Sequence, residues 1–197
     1  MRLLLYVDPS PRREAALALA GPLARRPGAT LSLLATEEDL RSCPGLLDEA
    51  AAALPADPAP SRISRPGPAE RAIVAETRTR PYDLLVVPPA GRGAIQRLLK
   101  ASRVASVVRR VGVSVLVARG PASPPARVLA AIGGEGMAEA IARAAAVVSR
   151  AYAAEVTLLH VRDDVELPGP GTAPRPISEE GLPRARASLD SLGIHST

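Results

Sequence analysis

The chain predicts an α/β protein: an open, parallel, five-stranded sheet with helices on both faces, followed by a partial second copy. Three observations predict it. Apolar residues come in short, largely unbroken runs, "LLLYV" at 3–7, "TLSLLA" at 30–35, "YDLLVV" at 82–87 and "VSVLVA" at 113–118, as strands buried on both faces require. Segments with helix starts and stops separate the runs and give the order β-α-β-α-β-α-β-α-β across residues 2–118, which belongs to parallel strands joined by helical crossovers. Hydrophobic residues make up 47% of the chain, yet Phe and Trp are absent and Ala is abundant, so the layers are thin and helix packs closely on sheet.

The first strand ends at Asp8-Pro9-Ser10-Pro11. Ser10 is the expected helix N-cap, with Pro11 at the first helical position and Glu14 at the positive end of the helix dipole. That helix runs to about Arg26, where Pro27-Gly28 stops it, and Thr30 to Ala35 completes a right-handed β-α-β unit. Glu37-Glu38-Asp39 reads as a solvated turn. Residues 45–54 form a helix ended by "PADPAP", and a weak strand lies around Arg62 to Ser64. "GPAERAIVAETRTR", from Gly67, is a helix expected to turn Ala72, Ile73 and Ala75 toward the sheet. The strand at 82–87 then enters "VVPPAGRGAIQRLLKAS", two prolines and a Gly-Arg-Gly turn before a basic amphipathic helix carrying Ser102. Asp8, the residues after Ala35 and the 88–93 loop all follow strand carboxyl ends, so they converge on one cleft where the strand order reverses.

Composition excludes several classes of function. The net charge of +5 is carried almost wholly by Arg, since Lys100 is the only lysine, and the tyrosines Tyr6, Tyr82 and Tyr152 lie far apart. A nucleic-acid reader would cluster its charge and interleave aromatic stacking residues, so a DNA-associated basic protein is the least supported reading. The one cysteine, Cys43, forms no intrachain disulfide, and with His160 and His195 as the only histidines no zinc cluster can be drawn. The apolar run before Asp8 is too short for a signal peptide or a membrane span. The expectation is a cytoplasmic protein without membrane contact. Asp163-Asp164 is too sparse for a cation site, and His160 and Cys43 have no partnered acid or base. No catalytic set and no metal site is expected.

"RGPASPPAR" at 119–127 is a linker by its Pro, Gly and Ser content. After it the chain begins again. Residues 127–161 align without a gap on residues 2–36, matching Arg2 with Arg127, Glu14 with Glu139, Arg25 with Arg150, and Leu33-Leu34 with Leu158-Leu159. Following a Pro/Gly-rich loop at 168–176, "SEEGLPRARASLDSLG" supplies one more helix. The expected domains are therefore 1–119, a linker at 120–126, and a partial repeat at 127–197. The repeat has no counterpart of 82–118, and an apolar half-sheet must be covered, in cis or by another subunit.

These residues resemble the universal stress protein family: a strand ending in Asp-x-Ser (Asp8, Ser10), the "GPAERAI" helix start, "DLLVV", the "GRG" turn, "LLKASRVASVVRRV" and the closing "VSVLVAR". The resemblance covers the first domain along nearly its whole length, and the repeat resembles the family's first half, as in a tandem member with an incomplete second domain. It implies the strand order 3-2-1-4-5, a dimer formed along the last strand, and membership of either an ATP-binding or a non-binding subclass. In the partial copy the pseudo-symmetry could also make an intramolecular pseudo-dimer. The family's ATP binders are similar in carrying Gly, two residues, Gly, nine residues, then Gly and Ser or Thr. On this sequence that frame falls on Pro88, Gly91, Ala101 and Ser102, so two of the three glycines are missing.

Phosphate cradles aim backbone N–H groups at the anion and bring the main chain close to it. Pro88 and Pro89 have no N–H to give, and Ala101 adds a Cβ. Gly91 and Gly93 still permit close approach, Arg92, Arg97 and Lys100 supply charge, and Ser102 keeps its hydroxyl. In ATP-binding members the acid matching Asp8 lies near the nucleoside, while an Asp between strand and helix also serves simple turn chemistry; in the repeat Gly133 stands at that position. Two readings follow. One is a non-catalytic module with no cofactor, acting through dimerisation or a partner and carrying a degraded nucleotide cleft. The other is a stress sensor binding ATP or AMP with Mg²⁺ at Asp8, Gly91, Arg92, Gly93 and Ser102.

Overall fold

The computed structural model describes residues 1–88, 111–119, 123–132, 137–160 and 181–196. The chain divides into two compact units, Met1–Pro124 and Pro125–Thr197.

In the first unit the elements run β1 (Arg2–Tyr6), α1 (Arg13–Ala24), β2 (Thr30–Thr36), α2 (Glu37–Ser42), α3 (Leu46–Ala52), β3 (Ser61–Arg65), α4 (Ala69–Thr79), β4 (Leu84–Val87) and β5 (Ser114–Val117). The five strands form one parallel sheet of order β3-β2-β1-β4-β5, the architecture and strand order expected from the sequence. Alternation along the central strands decides the two faces. Leu4, Tyr6, Leu34, Leu85 and Val87 turn to one side and cluster with Ala69 and Ile73 of α4 and with Val111. Leu3, Leu5 and Leu33, all fully buried, turn to the other, where α1 lies against β1 and β4 and α3 against β2. At the amino ends of the strands Asp83 ties β4 to β1, accepting from the Arg2 amide at 2.7 Å and the Arg2 guanidinium at 2.8 Å.

Two local expectations are corrected. Ser10 does not cap α1: the helix begins at Arg13 behind an uncapped Arg12, because the Ser10 hydroxyl is drawn back to Asp8. Ala75 is exposed, and the neighbouring Glu76 is buried in its place. A carboxylate can take a core position only if it is paired and hydrogen-bonded. Glu76 accepts from Arg65 Nε at 2.9 Å and Nη2 at 2.7 Å on one oxygen, and from the Tyr82 hydroxyl at 2.8 Å on the other. Arg80 stands 3.8 Å away. This cluster fastens α4 to the end of β3 and the start of β4.

The second unit contains β6 (Arg127–Ile132), α5 (Ala138–Tyr152), β7 (Glu155–His160) and α6 (Gly181–Ser191). β6 and β7 pair in parallel, and their inward residues Ala130, Ile132 and Val156 cluster with Ala138, Ala142, Ala145 and Ala146 of α5 and with Ala185 and Leu189 of α6. Its pairing copies that of β1 with β2 residue for residue. Arg2 faces Thr30 and Leu3 faces Leu31 in the first unit; 125 positions later Arg127 faces Glu155 and Val128 faces Val156. The amide of Thr30 donates to Met1 and that of Glu155 to Ala126, again 125 positions on. The left-handed turn residue before the second strand is Gly28 (φ 70°) in one unit and Ala153 (φ 54°) in the other. A backbone that suits glycine is held there by alanine, at a cost of about 1 kcal/mol.

Candidate functional site

The strand order reverses between β1 and β4, and in open α/β sheets that is where ligands enter, outside the carboxyl ends of the strands. Leu5 faces Val86 across this pair, so the chain just beyond, Asp8 on one side and Pro88 on the other, forms the lip of the crevice. Pro88 is buried. It brings a ring and a carbonyl to the lip and no amide hydrogen.

Asp8 is turned on its own loop. Its Oδ1 accepts from the Ser10 amide at 3.2 Å and the Ser10 hydroxyl at 2.7 Å, an Asx turn that reverses the chain ahead of α1. Burial raises its pKa above the ordinary carboxylate value; the Ser10 hydrogen bonds work against the rise and the nearby Asp39 carboxylate adds to it.

Glu37, Glu38 and Asp39 are not a solvated turn. They open α2, and Thr36 and Asp39 form a reciprocal capping box at its start. Asp39 Oδ2 accepts from the Thr36 amide at 3.0 Å, the Thr36 hydroxyl at 2.6 Å and the Tyr6 hydroxyl at 2.7 Å. The box thus pins α2 over the end of β1. Burial, reinforced by the Asp39 hydrogen bond, pushes the Tyr6 phenol well above its usual range, so it remains a neutral donor. Near the carboxyl end of β1, then, two carboxylates are engaged with local donors: Asp8 with Ser10, and Asp39 with Thr36 and Tyr6.

The raised pKa of Asp8 has a consequence for stability. An acid that is harder to ionise when folded holds more protons in the native state between its unfolded and folded pKa values. Stability therefore declines as pH rises through that window. Asp8→Asn, which keeps an acceptor for Ser10, is expected to remove this decline, so that the melting temperatures of variant and parent agree in acid and the variant is at least as stable at neutral pH. A variant markedly less stable at neutral pH would contradict it.

Of the residues the sequence assigns to the cleft, Asp8 stands at the lip, whereas Gly91, Arg92, Gly93 and Ser102 lie outside the described residues. Sequence reasoning passed over Asp39 and Tyr6; the signal available was the spacing of Thr36 and Asp39, three apart directly after a strand. His160 contacts the Ile132 carbonyl at 2.7 Å through Nδ1. A cavity of about 450 Å³ lies along α4, lined by Pro68, Glu70, Arg71, Val74, Ala75 and Arg78, and includes none of the crevice residues. Among the described residues no group of His, Cys, Asp and Glu could hold a metal ion, and no helix is long and apolar enough to cross a membrane.

A parallel sheet of order 3-2-1-4-5, with an Asp-x-Ser turn after its central strand, defines an open, doubly wound α/β protein. Residues 34–119, which lie within the first unit, match the Universal stress protein family. Among solved structures the chain is similar to a universal stress protein crystallised in complex with cAMP, with 20% identity over 61% of this chain and 98% of that one and a TM-score of 0.46. It is also similar to protein Rv1636 from Mycobacterium tuberculosis H37Rv, with 22% identity over 61% of this chain and 95% of that one and a TM-score of 0.39. No curated protein matches the chain.

Proposed function

We propose that the protein is a non-catalytic stress-protein module that works through assembly or a protein partner, and that its cleft no longer retains a nucleotide. The observation carrying this reading is the lip between β1 and β4. Pro88 offers no amide, Asp8 is closed on Ser10, and Asp39 sits over Tyr6. A phosphate chain entering there would meet carboxylates where it needs N–H groups.

The sensor reading, with ATP or AMP and Mg²⁺ at Asp8, Gly91, Arg92, Gly93 and Ser102, requires the loop after Pro88 to supply all the anion donors by itself. The two readings separate in a melting experiment. A ligand present at about 100 times its Kd adds roughly 2.7 kcal/mol to stability. Millimolar ATP or AMP with Mg²⁺ is expected to leave the melting temperature where it was, and a rise of several degrees would restore the sensor.

A further inference from the structure

The second unit ends its sheet where the first continues. β1 pairs on both sides: the flanking residues Met1 and Val7 hydrogen-bond toward β2, and the carbonyl of Arg2 accepts from Asp83 on the β4 side. In a strand, backbone groups of alternate residues point to the same edge. The 125-residue correspondence therefore directs Val128, Ala130 and Ile132 toward β7 and leaves Arg127, Leu129 and Ala131 aimed at the opposite edge. Among the described residues β6 pairs with β7 alone, whereas the other edge of β7 is met by a bridge from Val156 to Ser196. The outward face beside the open edge carries two exposed leucines, Leu129 (63%) and Leu159 (41%), with Ala131, between exposed Arg127, Glu155 and Thr157.

We infer that this edge is a self-association site, at which β6 pairs antiparallel with β6 of a second copy of the chain, with Leu129 on the twofold axis. Unpaired edges attract strands; the exposed Leu129 at the middle of the edge is covered by its own copy, and charge selects the direction. A parallel pairing in register would set Arg127 against its own copy. The antiparallel one sets each Arg127 beside the partner's Ala131, keeps the two guanidinium groups at opposite ends, and leaves each next to its own Glu155. Each row across the four strands then carries one Arg and one Glu or none. The two Leu129 side chains meet as a hydrogen-bonded pair, covering one another. This edge differs from the last-strand interface that the family resemblance implies. The inference also stands apart from the nucleotide question: it holds whether or not the cleft is empty, and the melting experiment above cannot decide it.

Full-length protein is expected to sediment as a concentration-dependent dimer. Residues facing each other in a hydrogen-bonded antiparallel pair have Cα atoms about 5.5 Å apart, within disulfide range. In a Cys43→Ser background, Leu129→Cys should therefore oxidise to a covalent dimer, while Leu159→Cys, one strand away from the axis, should not. Leu129→Lys places like charges opposite each other at an exposed position and should weaken association by about tenfold or more while leaving circular dichroism unchanged. A monomeric parent, a dimer without cross-linking at Leu129→Cys, or a Leu129→Lys protein as dimeric as its parent would each overturn the inference.

Discussion

Replacing Arg65 with Leu is expected to destabilise the first unit by about 3 kcal/mol, the lower end of the cost of breaking a buried ion pair. The asymmetry of the pair dictates the choice. Glu76 is fully buried and Arg65 is about one-third exposed, so removing the arginine leaves a carboxylate that water cannot reach, held by the Tyr82 hydroxyl and the longer 3.8 Å pairing with Arg80. The reverse change leaves a guanidinium that can turn to solvent. Arg65→Leu with Glu76→Leu should accordingly recover more than half of the loss, since apolar pairs often replace buried ion pairs at little net cost. Urea unfolding of the single and double variants measures this as a shift in midpoint at constant slope, and the cycle isolates the coupling. A single variant within about 0.5 kcal/mol of the parent, the range of an ordinary surface substitution, would remove Glu76 and Arg65 from the account of what holds α4.

Leu189→Ala should have the larger structural effect. The second unit's core is mostly alanine, with Ile132, Val156, Leu189 and Ile194 as its bulky buried members. Leu189 is fully buried and carries α6 onto the β6–β7 sheet. Truncating such a leucine costs about 2 to 5 kcal/mol through lost burial and the cavity left behind. A unit of this size has only about 4 to 10 kcal/mol to lose. The expected result is rapid hydrogen exchange at the amides of β6 and β7 while β1, β2 and β4 stay protected. Protection of β6 and β7 at parental levels would mean that α6 contributes little to that core.

Four of the five strands were legible because they are mostly apolar runs followed by distinct stops, whereas β3, SRISR, carries one apolar residue and was read only as a weak strand. Leu3 to Val7 and Leu84 to Val87 have no competing periodicity. The repeat was read from the ungapped match of 127–161 on 2–36, including Arg127, Glu139, Arg150 and Leu158-Leu159; in the structure β6 and β7 pair in the same register as β1 and β2. The misread parts were those in which a polar side chain chose between local and tertiary partners. Ser10 has the composition of a cap, but an acid two residues earlier takes its hydroxyl. Glu76 sits among Arg, Thr and Ala on α4 and looks like a solvated position; only the placement of Arg65 and Tyr82 by the sheet makes burial affordable. Asp39 reads as one of three surface acids until β1 brings Tyr6 beneath it. In the cleft, the sequence pointed to the strand ends near Asp8 and Pro88, but the hydrogen bonds that engage the Asp8 carboxylate depend on the folded loop.

The central claim, that the crevice between β1 and β4 no longer keeps a nucleotide, is tested most directly by denaturing freshly purified full-length protein and separating what it releases. Less than a few per cent of ATP, ADP or AMP per chain is expected. Release of one adenine nucleotide per chain would contradict it.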